Sequence, residues 1–124
     1  FLDEICKIYP IWICPFRLNR SLEQWFLAGK KGQKVDLLDN FFVDIGLYGV
    51  PGVKNFNPEI CTRKIEEKCR QLGGFQMLYA DTFMTREEFH QMFNHKLYWK
   101  VREDYKIESH LPEVYDKINR RARI

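Results

Sequence analysis

The sequence contains no run of about twenty apolar residues, so no segment is expected to span a membrane. It also lacks a secretory signal pattern, in which a basic start precedes a short apolar run and a small-residue cleavage site. Positive charge is not concentrated either, because 20 Lys and Arg against 17 Asp and Glu give a net charge of only +3. That balance is too weak to predict nucleic-acid binding. With 45% hydrophobic residues, the chain is expected to be globular.

No two of the four cysteines have C-x-x-C spacing, so no metal site is predicted. Cys61 and Cys69 lie eight residues apart on a predicted helix, about 12 Å along its axis, which exceeds the roughly 7 Å limit for a disulfide. Cys6 and Cys14 are farther apart still if that segment is extended. Cross-pairs between the two segments stay open, and four reduced thiols are the simplest prediction.

A chain of 124 residues with 15% aromatic residues is long enough for one domain with its own core. The first residue is Phe1 rather than Met, and an apolar run follows almost at once. We therefore expect residues 1–124 to be a single domain excised from a longer protein. The densest basic cluster, Arg120, Arg121 and Arg123, is expected to be a solvated tail.

Two strands are predicted in the first half of the chain. The apolar run at residues 11–14 lies between prolines and predicts the first strand. Residues 41–48 alternate between two faces and predict the second. Between them, residues 18–40 have no clean period; residues 29–34 indicate an exposed loop, and the Trp-Phe-Leu run at residues 25–27 indicates a packing or partner-facing patch.

A third, central strand is predicted over residues 75–81, directly after two glycines that end a helix. Successive side chains of a strand alternate, so Phe75, Met77, Tyr79 and Asp81 would share one face. Two large apolar groups, a phenol and a carboxyl on one face indicate a site. A core strand in which Tyr79 satisfies a buried hydrogen bond is the alternative.

Four helical segments carry clear signals. Asn57 and Pro58 start a helix whose buried stripe is expected to be Cys61, Ile65, Cys69 and Leu72, with a glycine stop at residues 73–74. A capping box at residues 85–88 starts the next helix. After a break at residues 94–96 come a short helix and a last helix that starts at residues 110–112. Their expected inward or marker residues are Phe89, Met92, Phe93, Leu97, Val101, Tyr105, Val114, Ile118 and Ala122.

Together these elements predict an α+β fold: a small mixed or antiparallel sheet with helices packed on one face. Strand two, the helix and strand three would form a crossover if the two strands were adjacent and parallel. If Leu78 and Ala80 pack under the helices, Tyr79 and Asp81 lie on the bare sheet face. A bare aromatic face predicts a partner.

The run Gly-Phe-Gln-Met-Leu-Tyr-Ala-Asp at residues 74–81 is long enough to be specific. It resembles the C-terminal region of the Diminuto/seladin family, the delta-24 sterol reductases or 24-dehydrocholesterol reductases. The resemblance extends over nearly the whole chain except about residues 18–40. Other matching runs lie at residues 9–12, 14–16, 44–49, 86–89 and 112–118.

The resemblance implies an FAD-dependent oxidoreductase of the vanillyl-alcohol-oxidase type that uses NADPH and reduces the side-chain double bond of sterols. Such a flavoprotein has an N-terminal FAD-binding domain, which also anchors it at the endoplasmic reticulum membrane, and a C-terminal substrate or cap region. This chain resembles only the cap region. Its implied partners are a sterol and its own N-terminal domain, with membrane contact only through regions outside this chain, and the chain alone is expected to be inactive.

The chemistry assigns roles within that resemblance. An isolated alkene cannot hold negative charge, so a proton must arrive before or with the flavin hydride, inside an apolar slot. The candidate catalytic residues are Tyr79, as donor or relay, and Asp81, which would tune it or donate if burial raised its pKa. The candidate substrate-binding residues are Phe75, Met77, Asp44 and Tyr48, and the candidate cofactor-binding residues are Tyr98, Lys100 and Arg102.

Two further predictions concern alternatives. His95 and His110 are possible bases, but exposed surface histidines are the expectation for both.

The competing function is a non-catalytic module that binds protein or single-stranded nucleic acid through the aromatic sheet face. The central segment lacks interleaved basic residues and carries Asp81, which disfavours nucleic acid.

Overall fold

The computed structural model describes residues 1–17 and 41–123, and the predicted loop at 29–34 and apolar patch at 25–27 lie outside these described residues. A short helix α1 (Leu2–Ile5) precedes strands β1 (Ile11–Arg17) and β2 (Phe41–Leu47). The remaining elements are the helices α2 (Pro58–Gln71), α3 (Arg86–Met92), α4 (Lys96–Asp104) and α5 (Val114–Ile118).

β1 and β2 form a two-stranded antiparallel sheet, in a register that pairs Ile11 with Leu47 and Arg17 with Phe41. Both predicted strands are confirmed, and so is the small α+β fold with an antiparallel sheet. β1 continues through Pro15 for two more residues. The even-numbered residues form the inner face, where the rings of Phe16 and Phe42 stack at 5.7 Å.

The prediction of a central strand over residues 75–81 is wrong. Among the described residues the only bridge near it is an isolated parallel one between Thr82 and Asn119. Residues 75–81 instead lie across the inner face of the hairpin as a second layer: the Phe75 ring is 5.5 Å from that of Phe42, and Tyr79 reaches Tyr48. Side-chain packing against the sheet face therefore replaces pairing at a sheet edge.

α2 begins and ends as predicted. The Asn57 side chain accepts a hydrogen bond from the Ile60 N–H at 3.0 Å, and Gly73 ends the helix with φ +72°. The N–H of Gly73 binds the Arg70 carbonyl and that of Gly74 the Cys69 carbonyl, which together make a Schellman motif.

The buried face of α2 differs from the predicted stripe. Cys61 is buried and Cys69 half-buried, whereas Leu72 is 72% exposed at the helix end. Glu66 is fully buried instead, because Thr82, the Phe83 N–H and Arg63 all donate to its carboxylate. A carboxylate with three donors can replace an apolar residue in the interface. The four cysteines are free, as predicted.

The core lies between α3 and α5. The Thr85 capping box is confirmed: its hydroxyl accepts from the Glu88 N–H, and the Glu88 carboxylate accepts from the Thr85 N–H. The predicted inward residues of α3 are buried, in a cluster of Met84, Phe89, Met92, Phe93 and Tyr115. Phe75, Leu78, Ile118 and Ala122 pack against this cluster. Leu78 therefore lies against the helices, whereas Ala80, which was grouped with it, is exposed.

α4 exists as predicted, and the three residues that marked it in the sequence are exposed. Leu97, Val101 and Tyr105 are 45%, 40% and 75% exposed, while Arg102 is buried. The last helix begins at Val114 rather than at residues 110–112, and Val114 is 38% exposed. Within residues 1–17 and 41–123, no helix is both long and apolar enough to cross a membrane.

Ion pairs fasten α2 to α3. Arg63 donates two hydrogen bonds to the Glu88 carboxylate, at 2.6 and 2.8 Å, and Arg70 donates a third at 2.6 Å. These charge-assisted bonds lower the pKa of Glu88 to about 2, chiefly through Arg63. We call Arg63, Arg70 and Glu88 the α2–α3 clasp.

The C-terminal arginines are exposed, as predicted for a solvated tail, but they also form surface ion pairs. Arg120 and Arg123 both donate to the Asp81 carboxylate, the former at 2.6 Å. Arg121 pairs with Glu59 at the start of α2. The cluster therefore holds the end of the chain against the segment that follows Tyr79.

Candidate functional site

Two tyrosine hydroxyls meet at the end of the hairpin. Tyr48 follows β2, and its hydroxyl lies 3.1 Å from that of Tyr79, either group acting as donor. The hydrogen bond to Tyr48 is the main reason that the pKa of Tyr79 is raised, and Asp44 on the same face of β2 adds to it. The structure thus brings together Asp44, Tyr48 and Tyr79, three of the residues predicted to share a site.

Gly46 makes room for this arrangement. A Cβ at Gly46 would lie 2.7 Å from the ring of Tyr48 and 3.2 Å from Cβ of Trp12. The Tyr48 ring therefore lies over a position without a side chain, beside Trp12 across the sheet. Trp12, Tyr48 and Tyr79 are 58%, 61% and 71% exposed, and we call these three residues the tyrosine patch.

Asp81 is paired with the C-terminal arginines. Arg120 and Arg123 bind its carboxylate, and the hydrogen bond from Arg120 is the largest cause of its lowered pKa. The condition under which Asp81 would donate a proton, a pKa raised by burial, is therefore not met. Its carboxylate is ionised at neutral pH and fixes the segment that carries Tyr79.

Phe75 and Met77 occupy the other end of the segment. Phe75 is half-buried between the hairpin and the helical core, because its ring contacts Phe16, Phe42 and Phe93. Met77 is also half-buried. Phe75 thus joins the sheet layer to the core.

The outer face of the hairpin is apolar and open. Its odd-numbered residues include Ile13, Phe41, Val43 and Ile45, each more than half exposed. Ile13 and Ile45 lie opposite each other, and the Arg17 guanidinium lies over the Phe41 ring. We call these four apolar residues the outer face. Contiguous apolar surface of this kind is typical of an interaction site.

The predicted cofactor-binding residues on α4 differ in how accessible they are to a ligand. Arg102 is buried, and its guanidinium donates to the carbonyls of Leu111 at 2.6 Å and of Glu108 and Pro112 at 3.4 Å, and to the Tyr98 hydroxyl at 3.2 Å. It stabilises the loop after α4. Lys100 is exposed and pairs with Asp104 at 2.9 Å.

The structure shows a histidine cluster that the sequence did not predict. His90 on α3 binds Glu113 at 2.6 Å, and the rings of His90 and His95 are 4.5 Å apart. His95 is half-buried rather than exposed, whereas His110 is exposed as expected. Burial lowers the pKa of both clustered histidines. The sequence signal was a pair of histidines five apart, but Glu113 arrives from another element.

The chain has clear relatives among known proteins. It is 47% identical over 123 residues to the human protein named Delta(24)-sterol reductase, a match that covers 99% of this chain and 22% of that protein. The Caenorhabditis elegans protein named Delta(24)-sterol reductase homolog dhcr-24 is 39% identical over 94% of this chain and 21% of its own length. The Arabidopsis thaliana Delta(24)-sterol reductase is 28% identical over 90% of this chain and 22% of its own.

These matches cover nearly all of the chain but only about a fifth of each relative. No family model and no solved structure matches the chain.

Proposed function

We propose that this chain belongs to the Delta(24)-sterol reductase family and forms the substrate-side cap of an FAD-dependent, NADPH-using oxidoreductase that reduces the delta-24 double bond of sterols, because it is 47% identical to a segment that makes up 22% of the human protein of that name. The sequence identity over 99% of the chain carries this proposal. The proposed location is the endoplasmic reticulum membrane, which the enzyme would contact through regions outside this chain.

The proposed proton path runs through the two tyrosines. An isolated alkene needs a proton at one carbon as hydride reaches the other, since no carbonyl can accept the charge. Tyr79 would donate, and the Tyr48 hydroxyl 3.1 Å away would replace its proton. A phenol with a raised pKa is a weak acid in the resting site, so the step needs developing cation character at the alkene to draw the proton.

The tyrosine patch is too exposed in this chain to exclude water from such a step. We propose that the rest of the reductase, about four-fifths of a relative's length, covers it. The sterol tail would then lie between the FAD-binding domain and the half-buried side chains of Phe75 and Met77. Exclusion of water there would strengthen the electrostatic interactions around the reacting carbons.

The remaining predicted residues have narrower proposed roles. The negative charge of Asp44 would help to keep the Tyr79 hydroxyl protonated, and Asp81 would fix the Tyr79 segment through Arg120 and Arg123. FAD would be bound mainly outside this chain, with Lys100 and Tyr98 of α4 as the candidate contacts. Arg102 is already committed to its own loop.

A direct test uses a full-length protein that contains this chain. It should show the visible spectrum of an oxidised flavin, lose it on addition of NADPH, and regain it when a sterol with a delta-24 double bond is added, with the saturated side chain as product. A flavin that NADPH reduces but that no such sterol reoxidises would contradict the proposed substrate. Absence of bound flavin would contradict the proposed enzyme class.

A further inference from the structure

Three potential metal ligands converge where α3, the α3–α4 turn and the start of α5 meet. His90, His95 and Glu113 each offer one ligand atom, and these atoms all lie within 4.8 Å of one another. A divalent ion bound at about 2.0–2.2 Å places tetrahedral ligands about 3.3 Å apart. Small side-chain movements therefore suffice to close the three groups around an ion.

The histidine tautomers suit metal binding. The Nδ1 atom of His95 lies 2.9 Å from the Phe93 carbonyl, which can only accept, so Nδ1 carries the proton. In the neutral ring the lone pair is then on Nε2. The Nε2 atom of His90 lies 2.6 Å from Oε1 of Glu113, and a metal ion can take the place of the proton that they share.

The groups around the ligands hold them in place. The other oxygen of Glu113 binds Arg86, whose charge is also balanced by Asp116. The rings of Phe89, Tyr98 and Trp99 surround His95. Partners of this kind fix the orientation of ligands in established metal sites. The His90 side chain is 33% exposed, which leaves a path for an ion and room for a water.

We propose that His90, His95 and Glu113 bind a divalent transition-metal ion, with Zn²⁺ as the best match to two imidazoles and one carboxylate. The fourth position would be filled by water. Bound there, the ion joins α3 to α4 and α5 and stabilises the helical part of the domain. The absence of C-x-x-C spacing, on which the prediction of no metal site rested, does not bear on this ligand set. None of these residues takes part in the proposed reductase chemistry, so the two proposals can fail separately.

The test is a titration of the purified, metal-free protein with Co²⁺, followed by its visible absorption, and then displacement by Zn²⁺. One equivalent of each ion should bind. His90→Gln and His95→Gln should each weaken binding by more than about 10-fold, since even loss of an outer partner costs about 10–100-fold. His110→Gln, which changes the one histidine outside the cluster, should bind as the wild type does.

Thermal unfolding supplies the second readout, because an ion that binds only the native state raises the midpoint. Zn²⁺ should raise it for the wild type and for His110→Gln, and at the same Zn²⁺ concentration should raise it less for His90→Gln and His95→Gln. Circular dichroism of the metal-free variants confirms that they are folded. The proposal is overturned if the wild type shows no Co²⁺ absorption, or if all three variants bind equally.

Discussion

The proposed reaction depends on the Tyr79 hydroxyl, which would donate the proton to the alkene. In a full-length protein that contains this chain, Tyr79→Phe keeps the ring and removes only the hydroxyl. If that group delivers the proton, reoxidation of the reduced flavin by sterol should slow by about 10²-fold or more. Reduction of the flavin by NADPH should be unchanged, because it precedes proton transfer. Stopped-flow absorbance separates the two half-reactions.

Two further variants make this measurement specific. Tyr48→Phe should slow the same step less than Tyr79→Phe if Tyr48 only returns the proton. Tyr105→Phe changes a tyrosine that is 75% exposed at the end of α4 and should have no effect. Normal sterol turnover by Tyr79→Phe would reduce that residue to a surface role.

At the scale of elements, the Thr85 capping box decides where α3 starts. Thr85→Ala removes the hydroxyl that accepts from the Glu88 N–H and should lower the free energy of unfolding by about 1 kcal/mol. Urea denaturation should show a lower midpoint with an unchanged slope. Thr85→Ser keeps the acceptor and should stay close to the wild type. Equal losses in both variants would mean that the methyl group, not the cap, matters.

The α2–α3 clasp should make stability depend on acid. The folded pKa of Glu88 is about 2, below its ordinary value of 4.5, so the stabilisation is present above pH 4.5 and disappears as pH falls toward 2. With partial exposure taken into account, it amounts to about 2 kcal/mol. Glu88→Gln preserves the cap. In this variant the urea midpoint should change less between pH 5 and pH 2 than it does in the wild type. The exposed control Glu103→Gln should keep the wild-type profile.

Local signals and distant contacts contributed differently to what the sequence could predict. Asn57, Gly73 and the Thr85 box act on backbone within a few residues, so the ends of α2 and the start of α3 were predicted correctly. A strand over 75–81 needed a partner strand, and its alternating residues pack on the face of the hairpin instead. The burial of Glu66 and the approach of Glu113 to His90 depend on donors and ligands from other elements, which no local pattern records.

In the candidate site, too, local sequence patterns predicted some features, whereas contacts between distant residues could not be predicted. Alternation placed Asp44 and Tyr48 on one face of β2 and Tyr79 opposite Leu78, and the structure brings the three polar residues together even though residues 75–81 are not a strand. The partners of Asp81 and Arg102 could not be inferred. Arg120 is 39 residues from Asp81 in the chain, and the acceptors of Arg102 are carbonyls of a loop without periodicity.

For the whole molecule, the proposal that FAD is bound mainly outside this chain predicts which part of the protein retains the flavin. The chain of residues 1–124 alone should retain no stoichiometric FAD after purification, whereas a full-length protein that contains it should be yellow. The ratio of flavin absorbance to protein absorbance measures this directly. A flavin-loaded chain of 124 residues would move the cofactor site into the domain described above.

The α2–α3 clasp also governs the mobility of the segment that carries Tyr79. Arg70 lies just before residues 75–81 and Glu88 just after them, so their ion pair closes a loop around the segment and limits its conformational freedom. The N–H of Gln76 in this segment donates to Sδ of Met92 at 3.2 Å, and its exchange with deuterium at neutral pH should be faster in Glu88→Gln than in the wild type. The Glu88 carboxylate, nine residues after Tyr79 in the sequence, should therefore affect how long the hydroxyls of Tyr48 and Tyr79 stay hydrogen-bonded to each other.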